Sequence, residues 1–173
     1  MTDPTFRDAR PDDAGGLLDI YRPIVERTPI SFEVDCPSEQ AMAQRIGNAL
    51  ENYAWVVAEL DGRLAGYAYA SPHRPRGAYR FSAETTVYVH PDFYRRGIGR
   101  RLYQHLFEAL RPLDYYHAFA GITLPNDGSV GVHRSVGFSH VGTFPNVGFK
   151  FGRWHDVSWW YRELKDGTPE ERA

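Results

Sequence analysis

The chain has 173 residues, 42% of them hydrophobic and 24% charged, which suits one folded globular domain with its own core and excludes a disordered or fibrous chain. Twenty Lys and Arg against twenty-two Asp and Glu leave a formal charge of −2, so there is no general attraction to nucleic acid or an anionic membrane and any anion site must be local. No apolar run is long enough to span a bilayer, the opening Met1-Thr2-Asp3-Pro4 has no basic segment followed by an apolar one, and Cys36 is the only cysteine; an unsecreted, cytoplasmic protein without intrachain disulfides is the expectation.

Residues 6–10 read as a first strand. Asp12 then caps a helix carrying Leu17, Leu18, Ile20, Tyr21, Ile24 and Val25 at helical spacing, ended by Thr28-Pro29. Ser38, after Pro37, is the N-cap of a second helix over 39–51. Residues 55–60 and 64–70 flank Asp61-Gly62, a dipeptide suited to the positive φ angles of a tight turn, and so predict an antiparallel hairpin. Residues 71–77, punctuated by Pro72 and Pro75, read as a loop.

Glu84-Thr85-Thr86-Val87-Tyr88-Val89 is β-branched and aromatic, hence a strand that stops at Pro91. Leu102, Leu106, Ala109 and Leu110 form one face of an amphipathic helix from Gly97 to about Arg111, closed by Pro112. A strand over 117–122 follows, then a short helix over 128–136 with Gly137 as its C-cap. Strands over 138–142 and 156–164 precede a loose polar end over 165–173. With no repeat or low-complexity segment, this order describes a single mixed α/β domain with an antiparallel first half and a βαβ-like centre.

The stretch with chemical content is the strand, the turn Arg95-Arg96-Gly97-Ile98-Gly99-Arg100 and the helix that follows. Glycines at such a turn let the backbone approach a ligand, and the free N–H groups and dipole of the first helical turn make a site for a pyrophosphate. A lone G-x-G is common, and tight-turn geometry with solvated arginines accounts for it equally well. A dinucleotide fold wants a third glycine where Leu102 stands, and a glycine-rich turn after the first strand; a P-loop wants a Gly-Lys-Ser/Thr that is missing. Asp127-Gly128-Ser129-Val130-Gly131 imitates a nucleophile elbow, but Asp127 stands where the first glycine belongs.

Three separated stretches, in order, carry a stronger signal. They are Ala83-Glu84-Thr85-Thr86-Val87-Tyr88-Val89; Leu124-Pro125-Asn126-Asp127-Gly128-Ser129-Val130 with His133 and Gly137-Phe138; and Val147-Gly148-Phe149-Lys150-Phe151-Gly152-Arg153-Trp154-His155-Asp156-Val157. With the glycine turn, they make the chain resemble the GCN5-related N-acetyltransferase (GNAT) superfamily, and within it the phosphinothricin and methionine sulfoximine or sulfone acetyltransferases, over roughly residues 6–164. The resemblance implies the GNAT fold, a central mixed, mostly antiparallel twisted sheet flanked by helices. It implies acetyl-CoA as co-substrate, a small amino-acid-like amine as acceptor, and a homodimer. One departure is Tyr94, where that superfamily usually has Gln or Arg; main-chain donors do most of the binding there, and Arg95 and Arg96 stand next to it.

By the same resemblance, acetyl-CoA lies along Val87, Tyr88 and Val89, with its pyrophosphate on Arg95, Arg96, Gly97, Ile98, Gly99 and Arg100 and with Asn126 on the other side. The contact at the strand is expected through the backbone, because an amide chain pairs with a free strand edge as another strand does. Glu84 matches the base. An α-amine titrates near 8 and is mostly protonated at neutral pH, and proton transfer to an ordinary carboxylate would run uphill by about 5 kcal/mol, so a tuned environment or a water relay is required. Spacing alone reads Glu84 equally well as the partner of Arg74, Arg76 or Arg80 in a structural ion pair.

His133 stands where many superfamily members carry a tyrosine thought to protonate the departing thiolate; taken without the resemblance, a lone helical histidine is more often packed or solvated. Arg74, Arg76 and Tyr79 would hold the acceptor's carboxylate, with Phe32 closing one wall; a surface loop with no ligand role is the plain alternative. The scattered histidines form no metal-ligand pattern, so no metal is expected. Two other functions stay open: a non-catalytic acetyl-CoA sensor, which would leave Glu84, His133 and the arginine loop without a use, and a protein or peptide N-terminal acetyltransferase, which needs an open acceptor groove.

Overall fold

A computed structural model describes residues 3–170 of the chain. Strands β1 (Thr5–Asp8), β2 (Trp55–Leu60), β3 (Arg63–Pro72), β4 (Ser82–Val89), β5 (His117–Thr123), β6 (Ser139–Lys150) and β7 (Arg153–Glu163) form one sheet in the order β1-β2-β3-β4-β5-β7-β6. Every pairing is antiparallel except β4 with β5. Helices α1 (Ala14–Arg27) and α2 (Glu39–Asn52) cover one face, and α3 (Ile98–Leu110) and α4 (Asp127–Ser135) the other. The mixed, mostly antiparallel architecture read from the sequence is the one found, including the β4–α3–β5 unit at its centre.

The helices form where apolar spacing puts them. All six residues picked out on α1 are buried, and on α3 Leu102, Tyr103 and Leu106 are sealed against the sheet. Ser38 caps α2 by accepting from the Ala41 N–H at 3.1 Å, as expected. The entry to α1 differs. Residues 11–13 make one turn of 3-10 helix, and the neighbouring Asp13, not Asp12, supplies the carboxylate, which accepts from the Arg10 N–H at 2.7 Å while pairing with Arg7.

The largest difference lies at the end of the chain. In place of short strands over 138–142 and 156–164, β6 and β7 make one long hairpin around Phe151-Gly152, with positive φ at both turn residues. Gly142, Pro145 and Asn146 look like breakers, but β6 is an edge strand, where proline is tolerated, and two register shifts absorb the irregular residues. Likewise β3 runs through Ser71 and Pro72, so the expected loop over 71–77 begins only at His73. Residues 165–170 carry no helix or strand; residues 1–2 and the last of the expected loose tail, 171–173, lie outside the described part.

Gly66 of β3 sits opposite Val89 of β4, and a Cβ there would come within 2.7 Å of the Tyr88 carbonyl oxygen, 3.0 Å of Leu102 and 3.2 Å of the Val89 backbone. Two of these are backbone atoms that cannot swing aside. Gly66→Ala is therefore expected to destabilise the fold by about 2 kcal/mol, read by urea denaturation, and to disturb the far end of β4.

Candidate active site

The parallel pairing of β4 and β5 lasts only three residues, ending at Glu84 opposite Phe119. Beyond it the two strands part, while β4 stays paired to β3 as far as Val89. Residues 85–89 thus have one bonded edge and one edge without a strand partner. A cleft of about 770 Å³ opens there, lined by Val87, Tyr88 and Val89 on one side, by Gly97, Ile98, Gly99 and Arg100 at one end and by residues of α4 on the other. A smaller cavity of about 40 Å³ continues it, sharing Val87, Tyr88 and Asn126 and reaching Gly121, Thr123 and His133.

The entrance of α3 follows from local chemistry. Gly97 is its N-cap at φ 72°, in the left-handed region, and no side chain caps the helix; its first N–H groups face the cleft unclaimed. Arg95 also has positive φ, at 61°. Arg95, Tyr94 and Arg100 line the cleft, whereas the Arg96 guanidinium lies 5.6 Å from the Phe93 ring centre and is not among the lining residues. Asn126 lines both cavities and uses its side-chain oxygen to cap α4, accepting from the Ser129 N–H at 3.1 Å.

Glu84 stands at the point of the fork. His73 Nδ1 lies 3.5 Å and Arg74 Nη1 3.9 Å from the same carboxylate oxygen, Oε2. Burial pushes the Glu84 carboxyl above the ordinary carboxylate range, with Arg74 opposing. Arg74 also lies 5.4 Å from the Trp159 ring centre, and Tyr79 meets His73 edge-on at 5.7 Å. Of the predicted acceptor residues, Arg74 and Tyr79 are thus gathered near Glu84, while Arg76 is exposed at the start of the 3-10 turn over 77–79, with no ion pair among the described residues.

Phe32 lies in the segment between α1 and α2, with its ring centre 6.2 Å from that of His155. That segment is held down by the buried Lys150 ammonium, which donates to the Val25 and Ser31 carbonyls at 2.7 Å each, and by the 2.7 Å bond between Tyr21 and Ser31. The Phe32 ring fills the place of a side chain at Gly148: a Cβ there would lie 2.2 Å from ring carbons. Lys150 and the contact of Phe32 with Gly148 were not visible as site features in the sequence, and neither was His73. The only hint of His73 is its position beside Arg74.

His133 is buried, with both ring nitrogens engaged. Nδ1 lies 2.7 Å from the Ser129 carbonyl oxygen and Nε2 2.8 Å from the Tyr103 hydroxyl. A carbonyl only accepts, so Nδ1 carries the hydrogen and Tyr103 donates to Nε2. Burial lowers the His133 pKa below 6.5, partly offset by the Ser129 bond. Among the described residues no three His, Cys, Asp or Glu side chains are placed to hold a metal.

Comparison with known proteins agrees with this geometry. Residues 18–138 match the Acetyltransferase (GNAT) family. The chain is 35% identical over 164 residues, 95% of its length and 90% of the other's, to a phosphinothricin N-acetyltransferase of Streptomyces viridochromogenes. It is 31% identical over 163 residues, 94% of its length and 95% of the other's, to an L-methionine sulfoximine/L-methionine sulfone acetyltransferase of Salmonella typhimurium. Its fold superposes with a TM-score of 0.92 on a phosphinothricin acetyltransferase of Sinorhizobium meliloti solved in complex with acetyl-CoA, 36% identical and covering 98% of this chain and 95% of that one. The chain belongs to the GNAT acetyltransferase family.

Nitrogen-15 NMR of the histidines tests the His133 assignment. A neutral ring protonated at Nδ1 is expected to take up its second proton at lower pH than an exposed imidazole does. Because its pKa is lowered on folding, the site's share of stability is present above 6.5 and is lost as pH falls through the lowered value.

Proposed function

We propose that this acetyltransferase moves the acetyl group of acetyl-CoA to the α-amine of a small amino-acid-like acceptor, of the kind represented by phosphinothricin and methionine sulfoximine or sulfone. The observation that carries the reading is the position of Glu84: a half-buried carboxylate at the fork of β4 and β5, one residue before the stretch of β4 that lines the cavities and 3.9 Å from Arg74 of the arginine loop. Cleft volume and an unpaired strand edge suit a pantetheine arm, and the unclaimed N–H groups of α3 suit its diphosphate. A cation beside the carboxylate suits an acceptor that carries its own anionic group.

In this mechanism Arg74 orients the acceptor through that group and Phe32 closes the wall above it. Glu84 takes one proton from the ammonium; the freed lone pair attacks the thioester carbon, and collapse of the tetrahedral adduct breaks the C–S bond with no acyl-enzyme, the adduct nitrogen giving up its second proton as the sulfur takes one up and leaves as the thiol. His133 meets the departing sulfur, one of its two hydrogen bonds exchanging for that contact. Burial that raises the Glu84 pKa narrows the gap between base and amine, which is what the transfer needs.

Glu84→Gln is expected to lower kcat/KM by about 100-fold or more while leaving acetyl-CoA affinity unchanged, measured by thiol release and by calorimetry. In the native enzyme kcat/KM is expected to rise with pH through a limb above the ordinary carboxylate range, since only the ionised Glu84 accepts a proton. A panel of phosphinothricin, methionine sulfone, proteinogenic amino acids and short peptides assigns the acceptor; turnover confined to peptides would replace this reading with N-terminal acetylation of proteins, and binding without turnover on any amine would replace it with a sensor.

The working form we propose is a cytoplasmic homodimer joined across β6. Phe144, Val147, Phe149, Phe151 and Trp154 are each at least half exposed on this edge hairpin, and a cluster of exposed apolar side chains on a sheet edge suits burial against a second copy. Sedimentation should give a dimer for the native chain and monomers for the pair Phe149→Asp and Trp154→Asp.

A further inference from the structure

His73 has no assigned task in the scheme above, yet it is built into the site with unusual care for a loop residue. Its ring stacks on Phe119 of β5 at 4.5 Å and 18°, and meets Trp159 of β7 edge-on at 6.0 Å and Tyr79 at 5.7 Å. Its side chain is only 12% exposed, against 30% for Glu84. Nδ1 is sealed from water and makes no hydrogen bond, its nearest ionisable neighbour being Glu84 Oε2 at 3.5 Å. A buried ring nitrogen without a partner costs free energy, and a folded protein that carries that cost calls for a reason.

We propose that His73 is the proton outlet of Glu84. This rests on Glu84 being the base. Among the described residues, Oε1 has no bond, while Oε2 faces both His73 and Arg74. The amine therefore meets the free oxygen, and an acceptor in that position covers the carboxylate's direct route to water. The side behind it leads to His73. The terminal torsion of a glutamate is broad, so a carboxyl that has received the amine's proton swings its O–H toward Nδ1 at little cost.

The proton count closes. Glu84 gains one proton from the ammonium and returns to carboxylate by giving it to Nδ1; the imidazolium then gives the proton on Nε2 to water, leaving the ring neutral. The ring nitrogens exchange their hydrogen before the next cycle. The charged and titratable neighbours of His73 are Glu84 from β4 and Arg74 and Tyr79 from its own loop, while β5 and β7 present the uncharged Phe119 and Trp159. Burial and Arg74 both lower its basicity, so the ring passes a proton on at neutral pH instead of keeping it.

His73→Phe keeps the ring stack and removes the nitrogens; His73→Ala opens a hole into which imidazole fits. Expected for His73→Phe is a fall in kcat of about tenfold or more, with acceptor and acetyl-CoA KM values within about twofold and an unchanged melting profile. For His73→Ala, added imidazole is expected to restore kcat in proportion to its free-base fraction. A wild-type kcat for His73→Phe across the pH range overturns the proposal, and so does a loss in both variants that imidazole does not relieve, which would assign His73 to packing. Glu84→Gln measured alongside separates the two readings: full activity there removes the base and the outlet together, whereas a large loss there with a silent His73→Phe removes the outlet alone.

Discussion

The separation of β4 from β5 after three paired residues is the constraint on which the site depends. A continuous parallel pair would bond the far edge of residues 85–89 and leave no cleft. Because the strands part, backbone amides in the middle of the sheet, which would otherwise be spent on a ladder, become available to a ligand while β3 still holds their other edge. The fork also fixes where chemistry occurs. Glu84 is the last residue of β4 with strand neighbours on both sides, so its backbone is held by the doubly paired part of the sheet.

The two faces of the sheet divide the labour. On one, α3 and α4 enclose most of the long cleft, with Arg95, Arg100 and Asn126 among its polar lining; on the other, the loop after β3 brings Arg74 to Glu84. The strand alternation of β4 separates the two sets: Val87 points to the first core and Tyr88 to the second. Under the function proposed above, one strand would thus serve a long, uniform ligand with its backbone and a small, charged one with the side chains near its start.

Most of the framework was legible because it is written in short-range signals. Helical spacing located α1 and α3, Ser38 located the start of α2, and Asp61-Gly62 located the β2–β3 turn. The glycine turn before α3 was legible for the same reason, since residues 95–100 are contiguous and their geometry is local. The β6–β7 hairpin was not. Its turn uses Phe151 at φ 52°, a residue that gives no warning of left-handed backbone, and its strand carries Gly142, Pro145 and Asn146, tolerated only because the strand is at an edge. The surroundings of Glu84 were legible only in part, because they are assembled from distant pieces of chain. His73 means nothing until β5 and β7 bring Phe119 and Trp159 to it, and Lys150 nothing until its ammonium finds two carbonyls near the end of α1.

Gly148 gives Phe32 an indirect support. The ring packs over β6 only because position 148 has no side chain, so the seat of an aromatic residue near the start of the chain is written partly in a strand near its end. Enlarging residue 148 would evict the ring while leaving Glu84, His73 and His133 in place. Under the function proposed above, the wall around the acceptor and the handling of protons would then be inherited on separate parts of this chain, and a descendant could change its diet while keeping its catalytic equipment whole.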